Sequence, residues 1–80
     1  MAHAHRVLRS IETDDGGRCV DLFIRGDGSF GFEEYRRDIE DGRGWFAVGF
    51  YAAARFPTAD EALQNALGKV EWLSSAIGGV

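Results

Sequence analysis

The residues of this chain best equipped for chemistry are its aromatic side chains. Phe23, Tyr35, Trp45 and Tyr51 are all odd-numbered, and small residues of the same parity, Gly31, Ala47 and Gly49, stand between them. Successive side chains of a strand point to opposite faces, so these rings are expected on one face of a sheet, over a floor with little else on it. Such a patch can dock a protein surface or stack a base, and Arg37 supplies a cation for the Trp45 ring. Trp72 is a second candidate. At helical spacing it falls nearly opposite the Leu63, Leu67 and Val70 stripe, one turn beyond Gly68. Phe23, Tyr35, Arg37, Trp45, Tyr51 and Trp72 therefore form the candidate interaction surface. Each has a plainer reading: the sheet aromatics can simply stabilise the sheet as cross-strand pairs, and Trp72 can fold over residues 77–80 or the N-terminal segment.

Other reactive groups are sparse. Cys19 is the only thiol, and the only histidines, His3 and His5, offer two ligands without a third. The sequence contains no G-x-S-x-G, P-loop or H-E-x-x-H pattern. Glu33 and Glu34 are adjacent, so on a strand they point to opposite faces and cannot work as an acid–base pair. Glu34, on the core side, is expected to lie near the helix edge or to pair with Arg36 or Arg55. Asp27-Gly28-Ser29 lacks the further oxygens of a calcium loop, and Arg25-Gly26-Asp27 spells an adhesion tripeptide of the kind that recurs by chance. No catalytic, cofactor-binding or metal-binding residue is assigned, and the chain reads as non-catalytic.

Charge narrows the partners. The formal net charge is −4, from 13 acids against 9 bases, and the bases are scattered apart from Arg36-Arg37. With no basic stripe, nucleic acid is disfavoured, and the expected partner is a second copy or another protein. No apolar run approaches the length of a membrane span, and the N-terminus has no apolar signal region, so a cytoplasmic protein is expected. Eighty residues make one domain. That domain buries a smaller share of its surface than larger proteins do, which favours self-association.

The elements that must position these residues follow from the turns. Asp-Gly pairs begin at Asp15, Asp27 and Asp41, the rhythm of an antiparallel meander. Val20, Leu22 and Ile24 alternate with polar residues or Phe23, and Phe30 and Phe32 alternate in the return strand. A two-residue loop would set Ile24 against Gly31. A three-residue loop, 26–28, sets Ile24 against Phe30 and Leu22 against Phe32, so burial selects it, with Gly28 at positive φ closing a bulge. Residues 6–12 fit both helical and alternating spacing, and the turn chemistry at 13–17 selects a strand. A strand over 44–51 would send Phe46, Val48 and Phe50 to the core, and residues 52–56 are a connection or a further short strand. Thr58 and Glu61 announce a helix over 58–77, stopped by Gly78-Gly79. The expected fold is α+β: an antiparallel meander of three to four strands over 6–56, with one C-terminal helix on its even-numbered face and a frayed tail at 1–5.

From Arg18 to Leu73 the chain resembles a small family of uncharacterised alphaproteobacterial proteins. The resemblance is carried by Arg18-Cys19-Val20-Asp21, by residues 27–35 (DGSFGFEEY), by Gly44-Trp45-Phe46 and by Ala59-Asp60-Glu61-Ala62. It implies a bacterial, cytoplasmic origin and adds no activity. The likeness to double-stranded-RNA-binding domains goes no further than element order, and only if 6–12 were helical; Asp60-Glu61 stand where that family carries bases. The function expected from all this is a small non-catalytic protein–protein interaction module, self-associating through the aromatic sheet face or the outer helix face. Nucleic-acid or small-ligand binding on the same sheet face is the alternative.

Overall fold

Glycine turns and alternating apolar residues fold most of the chain into one antiparallel sheet. The computed structural model describes residues 5–38, 40 and 42–77. Its four strands lie in the order β1 (Arg6–Glu12), β2 (Arg18–Ile24), β3 (Phe30–Arg37) and β4 (Trp45–Ala47). Two helices follow, α1 (Ala59–Lys69) and α2 (Leu73–Ala76). α1 lies against β2 and β3, and α2 against β1. The expected α+β meander is the fold observed, and residues 6–12 are strand. The expected tail at 1–4, the helix stop at 78–79 and Asp41 fall outside the described residues.

The central hairpin has the register that burial demands. Ile24 faces Phe30 and Leu22 faces Phe32. The Gly28 amide donates to Arg25 O at 3.0 Å, the Arg25 amide donates to Ser29 O at 2.8 Å, and Gly28 adopts φ +88°. This is a three-residue loop with a glycine bulge, which only glycine enters at no steric cost. In the β1–β2 turn, the Thr13 hydroxyl and the Gly17 amide both donate to Asp15 Oδ1, at 2.6 and 2.8 Å. These bonds hold the Asp15 carboxyl below its usual range.

On the even-numbered face, Ile11, Val20, Leu22 and Phe32 meet Ala62, Ala66, Val70 and Leu73. Burying side chains the size of Phe32 or Leu73 stabilises the fold by about 2–3 kcal/mol each. Alanines at the two most buried α1 positions let the helix backbone approach the sheet. Thr58 caps α1, its hydroxyl accepting from the Glu61 amide at 3.1 Å, with Asp60 and Glu61 in the first turn, where the helix dipole favours acids.

Three expectations are corrected. First, β4 ends at Ala47 rather than running to Tyr51, and Phe46, Val48 and Phe50 are 44, 38 and 80 % exposed instead of buried. The helices reach β1, β2 and β3 and leave β4 uncovered, so an apolar residue on β4 has no layer to enter. Phe30, Tyr51 and Phe56 flank the core instead, and Phe56 returns to the β3 edge by exchanging two 2.9 Å backbone bonds with Phe30. Second, the helix expected over 58–77 breaks at Val70, whose φ −106° and ψ 106° are extended. Both Val70 and Leu73 are thereby almost fully buried. Third, β1 carries a bulge between Val7 and Arg9. Ile11 faces Val20 in the core, but beyond the bulge Val7 faces Phe23 on the opposite side of the sheet.

Candidate functional site

The molecule measures 37 × 35 × 17 Å, and its thin dimension is that of one sheet and one helix layer. Among the described residues, the odd-numbered sheet face therefore has no second layer of secondary structure. Its candidate residues nevertheless divide sharply between internal duty and true exposure.

Phe23 is not an exposed contact residue: it is 2 % accessible. Directly opposite it on β3 stands Gly31, where a Cβ would come 2.9 Å from the Phe23 ring and 2.8 Å from Arg25 Nη2. The absent side chain lets the ring and the guanidinium lie down on the sheet. Arg25 sits 4.9 Å from the ring centroid, and His5 stacks on the ring at 4.2 Å. His5 thus belongs to the fold rather than to the expected tail.

Tyr51 is also claimed by the fold. Its ring packs 5.0 Å from that of Phe32, and its amide donates to Glu33 Oε1 at 3.1 Å. Glu33 is 4 % exposed, and its carboxylate also accepts from the amides of Glu34 (2.9 Å) and Ala52 (3.3 Å). Where β4 leaves the ladder, this carboxylate replaces the missing strand as an acceptor. Arg25 does the complementary work, donating to the carbonyls of Ala52 and, at 3.1 Å, Ala54. Arg55 in turn bonds Asp27 and, at 3.0 Å, the Ser29 hydroxyl. Ser29, with Arg55, holds the Asp27 carboxyl below its usual range. Both charges of the Arg25-Gly26-Asp27 tripeptide are therefore engaged within the fold.

Trp72 does not stand free on an outer helix face: it is half-buried and packs against the core. The break at Val70 turns the indole so that Nε1 donates to Glu34 Oε2 at 3.0 Å, beside Arg18 at 3.5 Å from the same oxygen. Of the two expectations for Glu34, the place at the helix edge is the one observed, with Arg18 and Trp72 rather than Arg36 or Arg55 as its partners.

What remains on the open face is a hollow of about 190 Å³, lined by Ser10, Glu12, Cys19, Asp21, Tyr35 and Trp45. Register explains the grouping: Glu12, Cys19, Tyr35 and Ala47 form one cross-strand row, and Ser10, Asp21 and Glu33 the next. Small Ala47 beside Tyr35 leaves the ring uncovered, and Trp45 is 37 % exposed. Arg37 lies over Trp45 at 4.4 Å, as expected, and its Nε donates to Gly16 O at 3.2 Å. Inside the hollow, Asp21 Oδ1 accepts from the Ser10 hydroxyl at 2.6 Å and the Cys19 thiol at 3.2 Å. Burial, then the Asp21 carboxylate, pushes the Cys19 thiol up to about 12. Burial and the negative charges of Asp21 and Glu33 likewise raise the Tyr35 hydroxyl above its ordinary value. A protonated thiol beside a carboxylate is a poor nucleophile.

Sequence reasoning missed Ser10 and Glu12, which β1 pairing brings to this site, and the apolar residues Phe46, Val48 and Phe50. Phe50 is the only described non-glycine residue at positive φ (+56°), an uncommon conformation for a bulky side chain. Arg43 reaches over Phe46 at 5.8 Å. Among the described residues no helix is long and apolar enough to cross a membrane. Compared with protein-family models, with curated proteins and with solved structures, the chain matches none.

Proposed function

We propose that this chain is a small non-catalytic protein–protein interaction module that self-associates through β4 and the open face beside it. The observation that carries this reading is the run of exposed apolar residues at the sheet edge: Trp45 at 37 %, Phe46 at 44 %, Val48 at 38 % and Phe50 at 80 %. Four large apolar side chains within six residues, two on edge strand β4 and two in the segment just past it, form a surface on which another strand can dock. Neither of the two surfaces first expected serves unchanged, since Phe23, Tyr51 and Trp72 are used internally; Tyr35, Arg37 and Trp45 remain, joined by the β4 residues. Nucleic acid suits the face least, because Glu12 and Asp21 share it. The resemblance noted above favours a bacterial cytoplasmic setting.

Light scattering over a concentration series tests the reading. The apparent mass should rise from that of a monomer towards a dimer, and the double substitution Phe46→Ser and Phe50→Ser, at exposed positions, should hold the chain monomeric. A parent chain that stays monomeric at the highest soluble concentration would overturn it.

A further inference from the structure

The hollow beside β4 has a composition that an apolar docking edge does not require. Its volume of about 190 Å³ is below the roughly 300–1,000 Å³ of pockets that enclose whole small molecules, so it suits one side chain rather than a metabolite. Two of its walls are the rings of Tyr35 and Trp45, whose faces attract cations. Two of its polar groups are the carboxylates of Glu12 and Asp21. Among the described residues neither is ion-paired, and Asp21 Oδ2 has no hydrogen bond, since both internal donors go to Oδ1. Arg37, the cation over the Trp45 ring, is engaged with that ring and with the Gly16 carbonyl.

We propose that this hollow receives the ammonium or guanidinium group of a lysine or arginine side chain presented by a partner protein. The cation lies between the Tyr35 and Trp45 rings, and its hydrogens go to Asp21 Oδ2 and to Glu12. The upward shifts of Cys19 and Tyr35, caused first by burial and then by the carboxylates of Asp21 with Glu12 or Glu33, agree with this geometry. An acidic partner, a phosphate or a nucleic acid would meet repulsion at the same place.

The proposal rests on the reading of this face as a contact surface, and its test is independent of self-association. The ¹⁵N-labelled chain, kept dilute enough to remain monomeric, is titrated with N-acetyl-arginine amide, N-acetyl-lysine amide and, as neutral control, N-acetyl-glutamine amide. Saturable shifts at the Trp45 indole and at the Cys19 and Tyr35 amides are expected with the two cations at millimolar concentration and not with the glutamine derivative. Comparing the two cations shows which head group fits better. Glu12→Gln, at an exposed strand end, should weaken binding by about two- to fivefold, the range of a partly exposed charge pair. Asp21→Asn should weaken it as well, with Trp72 fluorescence showing that the fold is kept. Absence of saturable shifts, equal response to the glutamine derivative, or an unchanged affinity in both variants would overturn the proposal. If the chain self-associates and yet ignores the cations, the cation site alone fails; if the cations bind to a chain that never dimerises, self-association alone fails.

Discussion

Replacing Glu33 with alanine removes the one side chain that holds the 49–55 connection to the sheet through backbone amides. Its carboxylate accepts from Glu34 N at 2.9 Å, Tyr51 N at 3.1 Å and Ala52 N at 3.3 Å. Hydrogen bonds to a charged group contribute about 1.5–3 kcal/mol each when well formed. The Ala52 bond is long and Ala52 is exposed, so water can replace the lost acceptor there at little cost. Glu34 N and Tyr51 N are less accessible and carry most of the loss. A smaller term has the opposite sign: Asp21 faces Glu33 across the strands, and removing one of two like charges returns a few tenths of a kcal/mol. The net expectation for Glu33→Ala is a loss of about 2–4 kcal/mol, a large part of the roughly 4–12 kcal/mol available to a domain of this size. Glu33→Gln keeps one carbonyl oxygen and should lose about 1 kcal/mol. Urea unfolding followed by tryptophan fluorescence measures both, and amide exchange at Tyr51 and Ala52 reports whether the connection has loosened. If both variants lie within about 0.5 kcal/mol of the parent, as ordinary surface substitutions do, the carboxylate is not the latch described here.

Gly49→Ala would place a Cβ 2.3 Å from the Tyr51 ring, so the ring must leave its seat beside Phe32; a loss of about 1–3 kcal/mol is expected in the same urea assay. Trp72→Phe deletes the indole donor to Glu34 and leaves Arg18 beside the carboxylate, for a loss of about 1 kcal/mol, and Glu34→Gln in the Trp72→Phe background should then cost less than in the parent. The Cys19 thiol, raised to about 12, should react slowly with iodoacetamide at pH 8 in the folded chain and rapidly after unfolding, whereas Asp21→Asn should speed the folded reaction. Because the folded chain holds this proton more tightly than the unfolded one, the associated stability is complete below about pH 8.5 and is lost as pH climbs towards 12, which urea midpoints across that range would show.

The parts of the fold legible in the sequence are those set by local rules. The three-residue loop at 26–28 followed from choosing between two registers, of which only one buries Phe30 and Phe32 together. Thr58 followed from capping chemistry. What escaped depends on which surfaces receive a cover. Residues 44–51 alternate as a strand does, but alternation says nothing about whether a helix lies above, and here none reaches β4. The burial of Phe23 was encoded by Gly31 directly opposite, a signal that parity alone passes over. Trp72 looked misplaced only on an unbroken helix. The break at Val70 has no proline to announce it and arises because Val70, Leu73 and the Trp72–Glu34 bond are satisfied together. Of the candidate surface, Tyr35 and Trp45 line the hollow and Arg37 lies over the Trp45 ring, while Ser10 and Glu12 arrive by a strand pairing whose partner residues the sequence does not spell out.

The bulge at Leu8 bears on how large an assembly this chain can build. A sheet with two usable edges joins head to tail without limit, edge to opposite edge, and forms fibres. Here one edge is spoiled: the bulge interrupts the even spacing of β1, and Arg6 and Arg9 set positive charge along it. In the proposed self-association this leaves β4 to pair, and an edge that pairs only with its own copy closes after two. Under the self-association proposed above, a single irregular residue on the opposite edge of the sheet would separate a finite complex from an aggregate.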